Sequence, residues 1–323
     1  MAHSKQVILI VTGATGKLGR SFCHALVKTF VEKADYVHLI VNATNDDSLQ
    51  EFAKELGTTY NISSLPKKVY VHCVVTDWSK PAQYVPTWLR IETVLNDIIT
   101  TVPFCYSSSS SSSMFSTHYR MILINNHGTL GPTMTFRHFS TTKNTTSVTD
   151  KKSDNADALL ASMLDHSHLN TTSFTFLNAQ VLGWCSVWLP PTTSSVFLVN
   201  ISSLGAIHSL ATLSLYCQSK AARNMLLQTI AEEEKMWSSN STCAVKTLNY
   251  APGPCDTAMA ESIQAITDET NPQKVLYASL AADKKLIQPE QTAKALAYIL
   301  NTNTFESGQH LDYYSVLDEL GSQ

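Results

Sequence analysis

The chain has 323 residues, of which 44% are hydrophobic, enough for one large domain with a sizeable core. Its formal net charge is −3 and its Lys and Arg residues are scattered, which argues against nucleic-acid binding. No apolar run reaches the about 18 residues of a membrane span, and the N-terminal run leads into glycines, unlike a signal peptide. The seven cysteines include no C-x-x-C spacing, which favours free thiols in a reducing compartment. We therefore expect a soluble cytoplasmic protein with neither nucleic-acid nor membrane partners.

The first third of the chain alternates short apolar runs with helical patterns. Residues 7–11, 36–41 and 69–75 are predicted strands, and residues 21–33 are a predicted helix with apolar residues every four positions. Alternation of this kind is typical of a parallel sheet with helices on both faces. The sequence therefore predicts an α/β fold, a Rossmann-type doubly wound sheet in three α/β/α layers.

Two polar stretches interrupt this pattern. Residues 103–118 contain seven consecutive serines, and residues 137–155 are polar and aperiodic. Neither offers apolar side chains for a core, so both are predicted to be loop insertions. With no internal repeat and no clear linker, we expect residues 1–323 to form a single domain.

The second half resumes the alternation. A strand is expected to start at residue 119, and a helix with a break is expected over about 156–188. A strand then begins at residue 194, a helix runs to residue 237, and residues 245–250 form another strand.

The sequence TGATGKLG directly follows the first strand. It places Gly13, Gly16 and Gly19 in a strand-to-helix turn. Glycine permits the tight turn, lets the backbone approach a pyrophosphate, and leaves helix N–H groups to bind it. This position favours dinucleotide binding over a purely structural turn.

The type of dinucleotide is indicated by the tip of the second strand. NAD sites usually carry an acid there to bind the ribose 2′-OH. Here Asn42 stands at the tip, and Lys17 and Arg20 lie beside the glycine turn. This combination favours NADP and its 2′-phosphate; alternatively, both cations are solvated charges of the first helix.

Tyr216 and Lys220 are four residues apart in a helical pattern, so their side chains share one face. A free phenol has a pKa near 10, and a neighbouring ammonium lowers that pKa. The phenol then becomes a suitable proton donor to a developing alkoxide. Ser203, at the end of the preceding strand, can supply a hydroxyl to the same oxygen. Because the chain has twelve tyrosines, the pair alone could arise by chance.

The chain resembles the short-chain dehydrogenase/reductase family in the order of its motifs, which are the glycine turn, NNHG at Asn125–Gly128, Asn170, Ser203, Tyr216, Lys220 and PGPCDT at Pro252–Thr257. The resemblance covers most of residues 5–90, 119–136 and 160–315. The C-terminal half, with PGPCDT and HLDYY, is more narrowly similar to the pterin-reducing members of that family.

The resemblance implies a role for each matching position. Tyr216 would protonate the carbonyl oxygen of the substrate as hydride arrives from the nicotinamide. Lys220 would hydrogen-bond the nicotinamide ribose and lower the pKa of Tyr216. Ser203 would orient the substrate oxygen, and Asn170 would hold a water in a proton relay to Lys220.

Further positions follow from the same resemblance. The implied cofactor-binding residues are Gly13, Ala14, Thr15, Gly16, Lys17, Leu18, Gly19, Thr44, Asn45, Asp77, Trp78, Asn126, His127, Gly128, Lys220, Cys255, Asp256, Thr257, Ala258 and Met259. The implied substrate-binding residues are Ser203, Leu204, Tyr216, Gly253 and Asp312, of which the last would accept two N–H bonds from a pterin ring as a buried carboxylate.

The chain departs from the family pattern at four positions. The usual basic residue and glycine of the turn are inverted as Gly16-Lys17, and Thr44 replaces an arginine. His127 replaces the alanine of NNAG, which we expect to crowd the ribose path. Leu213 replaces a tryptophan of the pocket wall.

These implications give a leading function and two alternatives. The leading one is NADPH-dependent reduction of the carbonyl side chain of a pterin, by a homodimer. A broader ketone or aldehyde reductase and a non-catalytic NADP-binding protein are the alternatives. We expect no metal site, since His166 and His168 lack a placed third ligand.

Overall fold

The computed structural model describes residues 4–60, 69–101, 117–136, 151–237 and 243–321. These residues form a seven-stranded sheet in the order β3-β2-β1-β4-β5-β6-β7, in which every neighbouring pair is parallel. The strands are β1 Ser4–Thr12, β2 Tyr36–Ala43, β3 Val69–Val75, β4 Thr117–Asn125, β5 Ser194–Ile201, β6 Ala244–Ala251 and β7 Gln309–Asp312.

Helices connect the strands and cover both faces of the sheet. They are α1 Lys17–Phe30, α2 Asp46–Thr59, α3 Tyr84–Thr101, α4 Lys151–Ser167, α5 Ser173–Trp188, α6 Ser214–Trp237, α7 Ala258–Gln264, α8 Pro272–Ala282, α9 Pro289–Thr302 and α10 Tyr313–Gly321. Within the described ranges, no helix combines the length and apolar character needed to cross a membrane.

The central strand β1 shows why its sequence is a continuous apolar run. Leu9 and Val11 pack into one buried cluster, whereas Ile8 and Ile10 pack into a second. Successive side chains of a strand point to opposite faces, so a sheet covered on both faces has no polar alternation. The predicted Rossmann-type α/β fold is thereby confirmed.

The strand order reverses between β1 and β4, which lie side by side at the centre of the sheet. In open parallel sheets, ligands bind at such a reversal, outside the carboxyl ends of the strands. Because all the strands are parallel, the residues that follow β1, β4, β5, β6 and β7 reach this same edge.

Two predicted loop boundaries are wrong. Strand β4 begins at Thr117, paired with Ser4 of β1, so the first insertion ends earlier than residue 118. Helix α4 begins at Lys151, whereas residues up to 155 had been assigned to the second insertion. Polar residues occur in helices as well as in loops, so composition did not separate the two. The rest of both insertions, residues 102–116 and 137–150, lies outside the described residues.

The predicted helix break after residue 156 is confirmed, and it has a specific form. Residues His168–Thr172 form one π-helical turn between α4 and α5. Such turns are rare and are frequent at functional sites. This turn carries Asn170, which is 1% exposed.

Candidate active site

The glycine turn after β1 has the shape that a pyrophosphate requires. Gly13 has a φ of +62°, and a Cβ at Gly19 would overlap the carbonyl oxygen of Gly13. Gly16 begins α1 with no side chain capping the helix, so its first N–H groups are left for an anion. Ala14 donates its N–H to the carbonyl of Asn42 at 2.9 Å, which fixes the turn against β2.

The two cations beside this turn are paired with carboxylates. The Lys17 ammonium lies 3.1 Å from Glu261 and 3.7 Å from Asp256. Arg20 lies 2.5 Å from Glu55 and donates to the carbonyl of Thr15. The interpretation of Lys17 and Arg20 as cations awaiting a 2′-phosphate is therefore not supported by their contacts.

The tip of β2 is closed by a buried hydrogen-bond chain. Asn42 donates to the carbonyl of Val74 at 2.7 Å and accepts from the indole N–H of Trp78 at 2.6 Å. Trp78 is 2% exposed, so its ring is part of the core and not of an open cleft. Thr44 and Asn45 are exposed beyond this tip, and Asn45 caps α2.

Asp77 lies partly exposed at the end of β3. Its carboxylate accepts from the backbone N–H and hydroxyl of Ser79 and pairs with Lys80. Partial burial raises its pKa, but these contacts outweigh burial and lower it from the usual value. Asp77 is therefore a carboxylate at neutral pH.

His127 does not crowd the cleft, contrary to expectation. Its Nδ1 lies 2.7 Å from the hydroxyl of Thr12 and its Nε2 lies 2.9 Å from the hydroxyl of Ser173. Its ring stacks on Trp78, and only 6% of the residue is exposed. Burial, with Arg223 and Lys220 nearby, holds the pKa of His127 well below its usual value. The imidazole is thus a neutral link between β1 and α5.

The flanking residues of NNHG contact the glycine turn and the π turn. Asn126 donates to the carbonyl of Gly13 at 3.0 Å. At Gly128 a Cβ would lie 2.8 Å from Oδ1 of Asn170, so only glycine leaves this amide in place. Oδ1 of Asn170 accepts from the N–H of Thr129 at 2.9 Å.

Asn170 is held in the interior by several hydrogen bonds. Its side-chain amide donates to the carbonyl and to Nδ1 of His166, and its own carbonyl accepts from Arg223. His166 in turn donates from Nε2 to the carbonyl of Leu215, so it is a structural link in the interior. Groups of metal-binding type are not clustered anywhere in the described part of the chain.

Ser203, Tyr216 and Lys220 are brought together. Ser203 follows β5 and lies near the Tyr216 hydroxyl, whose pKa it lowers, while its own oxygen accepts from the N–H of Gly205. The Lys220 ammonium lies 5.6 Å from the centre of the Tyr216 ring and donates to the carbonyl of Ile201 at 2.6 Å. Leu204 is exposed beside them.

The electrostatics of this group differ from the sequence-based expectation. Burial raises the pKa of Tyr216, and Ser203 and the cation of Arg223 lower it. Burial and Arg223 also hold the pKa of Lys220 well below its usual value. Among the described residues, Arg223 is therefore the cation that lowers the pKa of Tyr216. The sequence interpretation missed this residue. Its spacing, three residues after Lys220 on the same helix face, was the available signal.

The segment that joins β6 to α7 packs near Tyr216. Gly253 has a φ of +77°, and a Cβ there would meet Ile287. Burial raises the pKa of Cys255 to about 12, so its thiol is not reactive at neutral pH. The neighbouring residues Asp256, Thr257 and Ala258 lead into α7, where Met259 packs with Tyr216.

Asp312 closes β7 at the same edge of the sheet. It is not the buried carboxylate that was expected, because it is partly exposed and caps α10. Its Oδ1 accepts from the N–H groups of Tyr314 and Ser315 at 2.8 and 3.1 Å. Its Oδ2 accepts only the longer hydroxyl bond of Ser315, at 3.2 Å.

Comparison with known proteins agrees with this architecture. Residues 121–268 match the sequence profile of the short chain dehydrogenases. A sepiapterin reductase of Bos taurus is 28% identical over 96% of this chain and 95% of its own, and one of Rattus norvegicus is 33% identical over 61% and 64%. The solved structure of L-sorbose reductase from Gluconobacter frateurii, complexed with NADPH, has a TM-score of 0.61 at 17% identity, covering 96% of this chain and 95% of its own.

The chain has the Rossmann-type architecture of the short-chain dehydrogenases, and residues 121–268 match the sequence profile of that family. Among individual proteins, it is similar to the sepiapterin reductases.

A neutral, buried His127 predicts a pH dependence of stability. Its pKa in the folded chain lies far below the about 6.5 of an unfolded chain. Protonation below pH of about 6.5 therefore favours the unfolded chain, and this one group removes about 1.4 kcal/mol per pH unit. We therefore expect the free energy of unfolding to fall less steeply with decreasing pH in His127→Ala than in the wild type. The measurement is urea unfolding between pH 5 and pH 7, roughly the window around and below the unfolded pKa. Parallel slopes would contradict a neutral His127.

Proposed function

We propose that this protein is an NADPH-dependent carbonyl reductase that reduces the carbonyl side chain of a pterin, sepiapterin or 6-pyruvoyl-tetrahydropterin, in tetrahydrobiopterin biosynthesis. The observation that carries the proposal is the contact of Ser203, Tyr216 and Lys220 at the carboxyl edge of the sheet. The similarity to sepiapterin reductases along nearly the whole chain supports the substrate. A cytoplasmic homodimer is the form we expect for the enzyme.

The residues after β1 fit a dinucleotide. The uncapped N-terminus of α1 and the absence of a Cβ at Gly19 leave room and N–H donors for a pyrophosphate. The tip of β2 carries Asn42 where NAD sites usually carry an acid, and Thr44 and Asn45 after it are uncharged, which supports NADP over NAD. Asn126, Gly128 and Lys220 would hold the ribose and nicotinamide end.

Proton delivery follows from the positions of the side chains. When bound, NADPH supplies the hydride that reduces the carbonyl carbon. Tyr216 donates its hydroxyl proton to the carbonyl oxygen, so hydride and proton together give the alcohol. Ser203 holds the same oxygen by a hydrogen bond and, with the buried cations, stabilises its negative charge.

The pterin is proposed to contact Asp312. Since Oδ1 is committed to two backbone N–H groups, the less occupied Oδ2 is the oxygen offered to an N–H of the ring. A broader ketone or aldehyde reductase is the second candidate, and it is favoured by the same observation, because a carboxylate that caps a helix has a structural reason to be present. The proximity of Ser203, Tyr216 and Lys220 speaks against a non-catalytic NADP-binding protein.

Replacing Gly19 by Ala tests the dinucleotide site. The added Cβ would overlap the carbonyl oxygen of Gly13, and the backbone must shift to admit it. We expect the affinity for NADPH, measured by calorimetry, to fall roughly 100-fold, about 2.7 kcal/mol. Gly57→Ala is the matched control, because nothing lies within 4 Å of a Cβ there. Unchanged affinity in Gly19→Ala would exclude this turn as the cofactor site.

The Tyr216→Phe variant tests the reaction. Loss of the phenolic proton donor should reduce kcat for NADPH oxidation with sepiapterin by about 10²–10⁴, while NADPH still binds. Tyr314→Phe is the control, since Tyr314 is 52% exposed. Absence of turnover by the wild type at saturating NADPH would refute the proposed substrate, and full activity of Tyr216→Phe would refute the role of Tyr216.

Asp312→Asn separates the two candidate substrates. Asn caps a helix about as well as Asp, so the fold is retained while the charge is lost. For a pterin reductase, KM for sepiapterin should rise about 10–100-fold, as expected for a charged hydrogen bond, with little change for a small diketone. An equal effect on both substrates would instead favour the broad-specificity reductase.

A further inference from the structure

Arg223 is a buried cation to which neither the sequence motifs nor the mechanism above gives a role. It lies on α6, three residues after Lys220, and is 1% exposed. A buried charge is costly unless it is paired or fully hydrogen-bonded. No carboxylate of the described residues forms an ion pair with it.

Backbone carbonyls take the place of a counter-ion. Nε donates to the carbonyl of Asn170, Nη1 to that of His127 at 3.0 Å, and Nη2 to that of Leu169 at 3.4 Å. The guanidinium also lies over the ring of Phe174, 4.9 Å from its centre. Its five donors in a fixed fork can bind several carbonyls together, which a lysine ammonium does less well.

These carbonyls belong to different segments of the active site. His127 follows β4, whereas Leu169 and Asn170 form part of the π turn. One side chain of α6 therefore ties both segments to the helix that carries Tyr216 and Lys220. The carbonyl of Asn170, the residue that the resemblance assigns to a relay water, accepts a hydrogen bond from Arg223.

Arg223 follows Tyr216 by seven residues, about two turns, on α6, so the two side chains share one face of the helix. The charge of Arg223 persists at neutral pH. Burial lowers the pKa of Arg223 to about 9, which still leaves it protonated near pH 7. Its cation lowers the pKa of both Tyr216 and Lys220. The other groups that face Tyr216 are Ser203 after β5, Cys217 and Lys220 on α6, Cys255 after β6 and Tyr277 on α8.

We propose that Arg223 is a positioning residue of the proton-delivery site: its guanidinium holds the His127 and Asn170 segments on α6 and supplies the fixed positive charge beside Tyr216. The inference rests on the proposed function, since it concerns the acid of that reaction. It transfers to Arg223 part of the electrostatic role that the family resemblance gives to Lys220.

The test is the pH profile of kcat/KM for carbonyl reduction at saturating NADPH. Reduction needs protonated Tyr216, so activity is lost as pH rises through the pKa of its phenol. Arg223→Met removes the charge, which should move this basic limb to higher pH and lower kcat/KM at neutral pH about tenfold, a part of the about 10²–10⁴ from acid catalysis. Arg223→Lys retains the charge and should keep the limb closer to that of the wild type.

Two further variants make the result decisive. Arg223→Gln is neutral but keeps a donor, and it replaces Arg223→Met if that variant does not fold, with the same expected shift. Arg120→Met is the control: this arginine contacts the Phe30 and Phe197 rings and pairs in register with Val7, away from the carboxyl edge. The basic side of the pH profile of Arg120→Met should match that of the wild type.

Two results would overturn the inference. One is a neutral variant whose kcat/KM falls at the same high pH as that of the wild type, and the other is an Arg223→Lys variant whose pH profile shifts as far as that of the neutral variant. Either result leaves the proposed function standing, because the wild type turns over in both. A wild type that does not oxidise NADPH with any carbonyl substrate would instead refute the proposed function itself.

Discussion

Burial of Lys220 and Arg223 on one face of α6, where no carboxylate of the described residues pairs with either side chain, is the constraint on which this site depends. Backbone carbonyls satisfy both: Ile201 accepts from Lys220, and His127 and Asn170 accept from Arg223. Such carbonyls are available where strands β4 and β5 end and where the π turn interrupts the helical bonding. The parallel sheet brings these ends to one edge, so the fold determines where the cations can be buried.

The positive charge of Arg223 influences the protonation of the groups around it. It helps to keep His127 and His166 neutral, and it opposes the effect of burial on the phenol of Tyr216. Because the groups are held by buried hydrogen bonds, they need not reorganise when negative charge develops on a substrate oxygen. The π turn, Gly128 and the Asn170 amide hold this geometry together, and a Cβ at Gly128 would disturb it.

Features encoded by local periodicity were predictable from the sequence. The alternation of apolar runs and helical patterns predicted the parallel sheet, and the spacing of Tyr216 and Lys220 predicted that their side chains lie close together on α6. Choices among tertiary partners were not predictable, because spacing along the chain does not state which polar group a side chain meets. His127 bonds Thr12 and Ser173 in the interior, and Asp312 caps a helix. Arg223 went unnoticed because a charged residue on a helix is usually solvated.

The proposed effect of Arg223 on the pKa of the Tyr216 phenol can be measured by an NMR titration of the tyrosine ring carbons, with the Tyr216 signal assigned by its loss in Tyr216→Phe. We expect Tyr216 to ionise at lower pH in the wild type than in Arg223→Met, because the guanidinium stabilises the phenolate. Ionisation at the same pH in both proteins would contradict the proposed effect.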